Sequence, residues 1–550
     1  MRLARLATSA AFVLCATALP AAAQHFAPSP PEAAPYFRDR GSYHMAITTK
    51  SSDAQRYFDQ GLRLMMGFNL EEAERSFAHA EQLDSTCAMC AWGTAFSLGP
   101  HINVPAMPDR TIKAYAAAMR AVRLESGATP RERALIDAMK LRYADPAPTD
   151  PAAQGKLDQA YADAMHEVVQ RYPDDPDVNW LWADAAMDLH PWDLYEPNGT
   201  AKPWTGEIVA ALERAIAKAP GHVGANHLYI HAVEGSNDAA RALPSAKRLE
   251  NASPGEAHLV HMPSHIYHRI GLYEQSMEAN RRAVIADGKY LEAVHPQGFY
   301  LMYSAHNHQF LMWSCWMSGR QEEAMREARA TVDAIPLDML RQMPGFDMTI
   351  GYPVWTMVRF GRWADVLNEP EPPSDFAYAR GGWRAARAIA LAELGRLDEA
   401  AAERDSANAM SAVLPDAATE GWNPAKTLLG IGSDMATGLI LAKQGKTDDA
   451  VAALTKAVAA EDGLRYDEPS DWYVPARHAL GEVLLEANRA ADAQKVYEAD
   501  LARNPNNPWA LTGLAKSLRV QKRGKDATLA ESKAARALKD ADVKLAGSWM

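Results

Sequence analysis

A rhythm of small and bulky residues recurs through most of this chain, and it constrains the fold more than any other feature. In SSDAQRYFDQGLRLMMGFNLEEAERSFAHAEQLD, Gly61 lies within a first predicted helix. A turn follows at Gly67-Phe68-Asn69, and Ala73, Phe77 and Ala80 then return at four- and three-residue steps. The pattern recurs as Gly319 with Ala324 and Ala328, and as Gly395 with Ala400 and Ala407. It recurs again as Gly438 and Gly445 with Ala450, Leu454 and Ala457, and as Gly481 with Ala493 and Tyr497, before Trp509 and Gly513 open a final unit. Three- and four-residue steps place side chains on one face of a helix. Small residues let one helix approach its neighbour closely, and bulky ones fill the gap. One helix pair of this kind cannot bury its apolar face alone, so successive pairs must stack. The expected fold is all-α, a solenoid of antiparallel helix pairs.

Composition narrows the classes of function. The chain has 550 residues, 48% of them hydrophobic, and a formal net charge of −12. It has no basic stripe or long Lys/Arg run, which argues against a nucleic-acid protein. The first residues read as an export signal: Arg2 and Arg5, an apolar run to about Leu19, and an A-x-A site at Ala21–Ala23 with cleavage expected after Ala23. That run is too short to remain as a membrane span, and no later segment is long and apolar enough. Cys15 lies inside the apolar run and does not read as a lipid-attachment site. The expectation is a periplasmic or secreted protein without membrane insertion.

The helical rhythm breaks in several places. Residues 24–50 are Pro-rich and irregular, and are expected to be a disordered lead-in. Insertions fall near 99–109 and 191–204, and such insertions often map to a binding face. A Pro-rich break near residue 370 suggests two arrays, 51–365 and 377–550, the second ending in a polar capping helix.

The repeat resembles the tetratricopeptide repeat (TPR). More narrowly, NHLYIHAVE and HLVHMPSHIY look like segments of a His-rich subgroup of exported bacterial TPR proteins. The resemblance implies a TPR-type α-solenoid that binds a peptide or protein along its concave face, and it implies no catalysis. It also gives a way to locate that face, in rows counted back from the turn glycine of each repeat. Before Gly271 the row is His268, His265, His261 and His258. Before Gly235 it is Ala232, Tyr229, Ala225 and His222, and before Gly319 it is Trp316, Trp313, Gln309 and His306. The expected ligand groove is therefore lined by His, Tyr, Trp and Gln.

Ten of the seventeen histidines lie between His222 and His308. His258, His261, His265 and His268 fall within roughly 80° of one helix face at about 100° per residue. Imidazoles three or four residues apart can share one Zn, Cu or Fe ion. The other readings are a polar surface that happens to use histidine, or a peptide-binding His/aromatic groove. Pro263 is expected to kink the helix and distort the row. His227 and His231 form a second pair, with Glu234 one turn on. They read either as buried structural histidines facing Asp184 or Asp188, or as part of a metal site shared with His261 or His265. Leu228 stands where HExxH would need glutamate, so the zinc-protease motif is absent. His306 should face the groove, and His308, two residues on, should face elsewhere.

Cys87 and Cys90 lack the following histidine of a c-type haem site. They remain open as a local disulfide, as two small packing residues, or as a soft-metal pair with His101 nearby. Cys315 reads as a buried small residue. Two functions follow: a periplasmic scaffold recognising a peptide, protein or other ligand, and a metal-binding protein or metal-dependent enzyme built on the histidines of residues 227–268.

Overall fold

The structure is a computed structural model that describes residues 34–549; the expected signal segment, 1–23, lies outside the described residues. The protein is a TPR-type α-solenoid. Helices pack against their sequence neighbours as antiparallel pairs, among them Ser52–Met66 with Leu70–Leu83, Ala377–Glu393 with Leu397–Val413, and Pro508–Val520 with Gly524–Ala537. The only strands among the described residues are the short pair Thr419–Glu420 and Asn423–Pro424.

The rhythm of small and bulky residues works as the sequence suggests. Phe77 is fully buried, with Gly61 on one side and Gly93 on the other, and a Cβ added at Gly93 would stand 2.4 Å from the Phe77 ring. Gly481 and Gly513 hold Tyr497 in the same way, one repeat system later. Among the described residues, eight turns inside helix pairs reverse through a left-handed residue two positions before the second helix. Glycine fills that position at 271, 319, 361, 395 and 445. Phe68, Asn488 and Lys522 fill it elsewhere, with φ of 58°, 59° and 62°. For phenylalanine this conformation costs on the order of 1–2 kcal/mol, so something else must favour Phe68 there.

The apolar side chains of the described residues gather in separate clusters. One apolar core gathers residues from Met45 to Ile266 with Tyr303, and a second gathers residues from Met277 to Ala510. The cores therefore divide just after the central His-rich helix. The Pro-rich break near residue 370 is a surface loop between Val366 and Tyr378, which share the second core. Proline content marked a loop there, and a loop need not end a core.

The described part of the lead-in, 34–50, forms no regular secondary structure, yet it is tied down rather than loose. Thr48 donates its backbone N–H to Glu132 (2.6 Å), Gln60 donates to the Pro35 carbonyl (2.8 Å), and Tyr43 donates to Asp177. The final residues behave likewise: after the helix Gly524–Ala537 the chain turns back, and Trp549 Nε1 donates to Glu393 (2.7 Å). The segment 463–475 links distant parts of the chain. It leaves the C-terminal repeats, and its Arg465 donates to the carbonyls of Pro191 and Trp192 (2.5 and 2.7 Å), inside the second insertion.

Candidate metal centre

The helix Val223–Glu234 and the broken helix Ala257–Arg269 lie side by side, and Tyr300–Trp316 packs on the second. The break falls at Met262, before Pro263, where the expected kink separates Ala257–His261 from Pro263–Arg269. It does not scatter the histidines. Their ring nitrogens converge in two groups, His227 with His231 and His258, and His261 with His265 and His306. Within each group the candidate ligand atoms all lie within 4.8 Å of one another.

The hydrogen bonds determine which nitrogens are free. His227 Nδ1 meets the Met66 carbonyl at 2.6 Å, and a carbonyl can only accept. His231 Nδ1 and His265 Nδ1 meet the two oxygens of the Glu234 carboxylate at 2.7 and 2.5 Å. His261 Nδ1 meets Asn280 Oδ1 at 2.6 Å, and that amide is oriented by its own NH2, which donates to Ser276 O. His306 Nδ1 lies 3.2 Å from Gln309 Oε1. Each of these five imidazoles therefore donates from Nδ1, and in its neutral form has a lone pair at Nε2. The Nε2 atoms face one another: His261 to His265 at 2.7 Å, His306 to His261 at 3.1 Å, and His258 to His227 at 3.0 Å. His231 Nε2 is buried without a partner.

Two facing lone pairs, as at His261 and His265, repel unless a cation lies between them. A proton can serve, and so can a metal ion. His258, whose Nδ1 has no partner, can instead donate from Nε2 to His227 in its neutral form. Nitrogens bound at 2.0–2.1 Å to one tetrahedral zinc would stand about 3.3 Å apart, close to the observed spacings. Burial sets the charge state. Burial first, then neighbouring imidazoles, holds His227, His258 and His261 well below the ordinary histidine range and takes His306 down to about 3. Burial also lowers His231, with Glu234 opposing it. His265 is the exception. Burial pulls it down, but the Glu234 charge and hydrogen bond, with Glu468, raise it above its ordinary value. In the metal-free protein, the proton between His261 and His265 therefore resides on His265.

An apolar and aromatic shell surrounds the nitrogens. Phe310 lies 5.0 and 4.8 Å from the rings of His261 and His265. Phe68 packs on His227 at 4.5 Å, on His101 at 4.7 Å and on His258 at 5.0 Å. This contact is what favours its left-handed backbone, and strain of this kind gathers at functional sites. Trp192, also left-handed with φ of 54°, sets its ring edge-on to His231 at 5.3 Å. Both insertions thus reach the centre, through His101 and Trp192. Tyr466 closes it from the C-terminal repeats, its hydroxyl bonded to Glu468 and 3.4 Å from Glu234. A small cleft lined by His190, Trp192, Tyr195 and Tyr466 leads to His231.

Several expectations need correction. The row counted from the turn glycines is not an open groove: His222, His258, His261, His265 and His268 are each at most 3% exposed. Phe68 and the rings of Tyr303, Phe310 and Trp313 pack on it, and repeat geometry alone gives no hint of such contacts. Of the ten groove residues, His258, His261, His265 and His306 join the centre and Gln309 supports it. His222 caps the helix Val223–Glu234 and contacts Tyr43 and Asp177. Tyr229 donates to Glu213, His268 stacks on Trp313 at 3.7 Å, and Trp316 donates to Thr356. The four proposed metal ligands do not meet at one point, because His227 and His231 belong to one group and His261 and His265 to the other. His227 and His231 are buried and hydrogen-bonded, but to Met66 and Glu234. Asp188 instead pairs with Arg142, at 2.5 Å.

Cys87 and Cys90 form a disulfide that caps the helix Ala88–Ser97, which leaves no thiolate pair for a soft metal, and His101 faces Phe68 instead. His308 turns away to Glu327 and Cys315 is buried, as their spacing and setting suggest. Sequence reasoning missed Phe68, Asn280, Tyr466 and Glu468. Only Phe68 carried a signal, a bulky residue at a turn position that elsewhere holds glycine.

His227→Ala is expected to leave the Met66 carbonyl buried without its donor. The expected loss is about 1–3 kcal/mol of folding stability, read by urea unfolding of the metal-free protein. A loss within about 0.5 kcal/mol, as surface substitutions give, would mean that this imidazole is not buried and bonded as described.

No protein-family model matches the sequence, and no curated protein is significantly similar to it. Solved structures match over most of their length at low identity. The human IFIT1 dimer with m7Gppp-AAAA matches at 13% identity and TM-score 0.33, over 90% of this chain and 92% of that one. Yeast Tom70 matches at 11% and 0.29, over 90% and 91%. The TPR domain of P58(IPK) matches at 12% and 0.21, over 86% and 99%.

Proposed function

We propose that this TPR protein binds a transition metal in its buried histidine centre, and that the repeats are the frame that builds it. One observation carries the reading. His261 and His265 point Nε2 atoms at each other across 2.7 Å while their Nδ1–H groups are held by Asn280 and Glu234. Imidazoles oriented by an outer ring of oxygen acceptors are the usual arrangement of metal-bound histidines. Neutral nitrogen donors suit Zn, Cu and Fe, and not the oxygen-seeking Mg or Ca. Three protein ligands leave a coordination position open, as catalytic zinc sites do, and a cleft of about 20 Å³, room for about one water, lies beside His231.

The test is elemental analysis of untagged protein prepared without chelator, followed by thermal melting with added Zn²⁺ or Cu²⁺. Retained metal is expected, and an ion at a hundred times its Kd should stabilise the fold by about 2.7 kcal/mol. Replacing both His261 and His265 by alanine should lower uptake while leaving the helical circular dichroism in place. No retained metal and no shift in melting would overturn the reading.

Export belongs to the same proposal. The signal-like first residues support it, and the Cys87–Cys90 disulfide suits an oxidising compartment. A second reading, a scaffold for a peptide or protein, is favoured by an open groove among the last repeats, lined by Leu485, Thr512, Lys516, Arg519 and Glu531. Recognition would then occur there and not at the histidines.

A further inference from the structure

The two histidine groups share no member, and this bears on how many ions the centre takes. Ligand atoms around one ion at 2.0–2.1 Å cannot be more than about 4.2 Å apart. Six imidazoles would crowd a single ion, and the six here do not surround a single point. Among the described residues, the one set that crosses between the groups is His231, Glu234 and His265. Its facing atoms are two Nδ1–H donors and the two oxygens that accept them, at 2.7 and 2.5 Å. This contact is a carboxylate orienting two imidazoles, with one oxygen for each group.

We propose that the centre holds two transition-metal ions, one bound by His227, His231 and His258 and the other by His261, His265 and His306, with Glu234 positioning one ligand of each. This rests on the metal-binding reading and deepens it. The groups are adjacent: the rings of His258 and His261 lie 5.6 Å apart, and those of His231 and His265 lie 5.3 Å apart. Each group consists of neutral nitrogen donors with no thiolate and no carboxylate ligand, a set that favours copper over the other divalent first-row ions. The surroundings differ. The His227 group opens toward the cleft through His231, whereas the His261 group is backed by Phe310. Glu234 is a positioning residue here, because it touches ligands and not the ions.

The experiment strips the full chain with chelator, reloads it with Cu²⁺ or with Co²⁺ as a spectroscopic probe, and counts metal per chain after gel filtration. Two equivalents are expected in the wild type. His258→Ala and His306→Ala should each keep one, and the cobalt spectra of these two variants should differ, since each reports the remaining site. Glu234→Gln should weaken both sites together, and a tenfold or greater loss of affinity is the expected scale. A single equivalent in the wild type, lost in both variants, would overturn the two-ion proposal and leave the metal-binding reading in place. No equivalent in any preparation would overturn both. Should either alanine variant fail to fold by circular dichroism, the wild-type count alone decides between two ions and one.

Discussion

Acidifying the metal-free protein from about pH 7 to about pH 5 is expected to remove its stability far more steeply than carboxylate titration would. Burial, reinforced by neighbouring imidazoles, keeps His227, His258 and His261 neutral and takes His306 down to about 3. Burial and then Arg269 lower His268, and burial and then Arg110 take His101 to about 3. In the unfolded chain each of these imidazoles titrates near 6.5. The folded value is the lower one, so their contribution is complete above about pH 6.5 and is lost as pH falls toward the folded values. Each group adds a slope of up to about 1.4 kcal/mol per pH unit. Six such groups can exhaust a typical stability of about 5–15 kcal/mol within one or two units. His265 works in the opposite sense: its contribution is complete below about 6.5 and is lost only as pH rises through its raised folded value. One group cannot offset six. Melting temperatures measured across this range check the expectation, and a flat profile would mean that these imidazoles are not held neutral in the fold. Bound metal should move the transition to lower pH, because protons must then displace the ion.

The repeat architecture was legible in the sequence because its physics is local. Gly61, Gly93 and Phe77 are related by the spacing of one helix pair, and a three- or four-residue period on each helix suffices to bring them together. The histidine centre was half legible for the same reason. His227 with His231, and His261 with His265, are one helical turn apart, so their pairing is written in the spacing. What joins them is not local. Glu234 meets His265 across 31 residues, Met66 meets His227 across 161, and Tyr466 approaches Glu234 across 232. No periodicity encodes those contacts. The groove was misjudged for a related reason: row counting assumes that the concave face of a solenoid stays open. Here Trp192, His101 and Tyr466 come from irregular segments whose path depends on tertiary packing, and they pack around the centre through His231, Phe68 and Glu234. Composition reports loops such as the one near residue 370, whereas a core boundary depends on which side chains touch across helices.

Glu234→Ala should be the most damaging single substitution in the centre. The carboxylate is 1% exposed, accepts from His231 and His265, and lies 3.4 Å from the Tyr466 hydroxyl. Burial alone would raise its pKa, but the His265 and His231 imidazoles outweigh burial and pull it down to about 2. It is therefore a buried anion whose counter-charge is the His265 imidazolium. Alanine removes the anion and leaves a buried cation unpaired, a change that typically costs about 3–5 kcal/mol. His265 can avoid that cost only by losing its proton, and its Nε2 lone pair then faces that of His261 at 2.7 Å. Glutamine separates the two contributions, because it keeps one oxygen for one Nδ1–H and gives up the charge. It too leaves the His265 cation without a counter-charge, so its expected cost is nearly that of alanine, about 3–5 kcal/mol. Asn280→Ala, which frees only the neutral His261 Nδ1, should cost less, about 1–3 kcal/mol. Urea unfolding of the three variants in metal-free form gives the order. Both Glu234 variants well below Asn280→Ala means that the charge pair holds the centre together. Three equal losses would mean that the carboxylate acts only as a hydrogen-bond acceptor, and the imidazolium assigned to His265 would then be wrong.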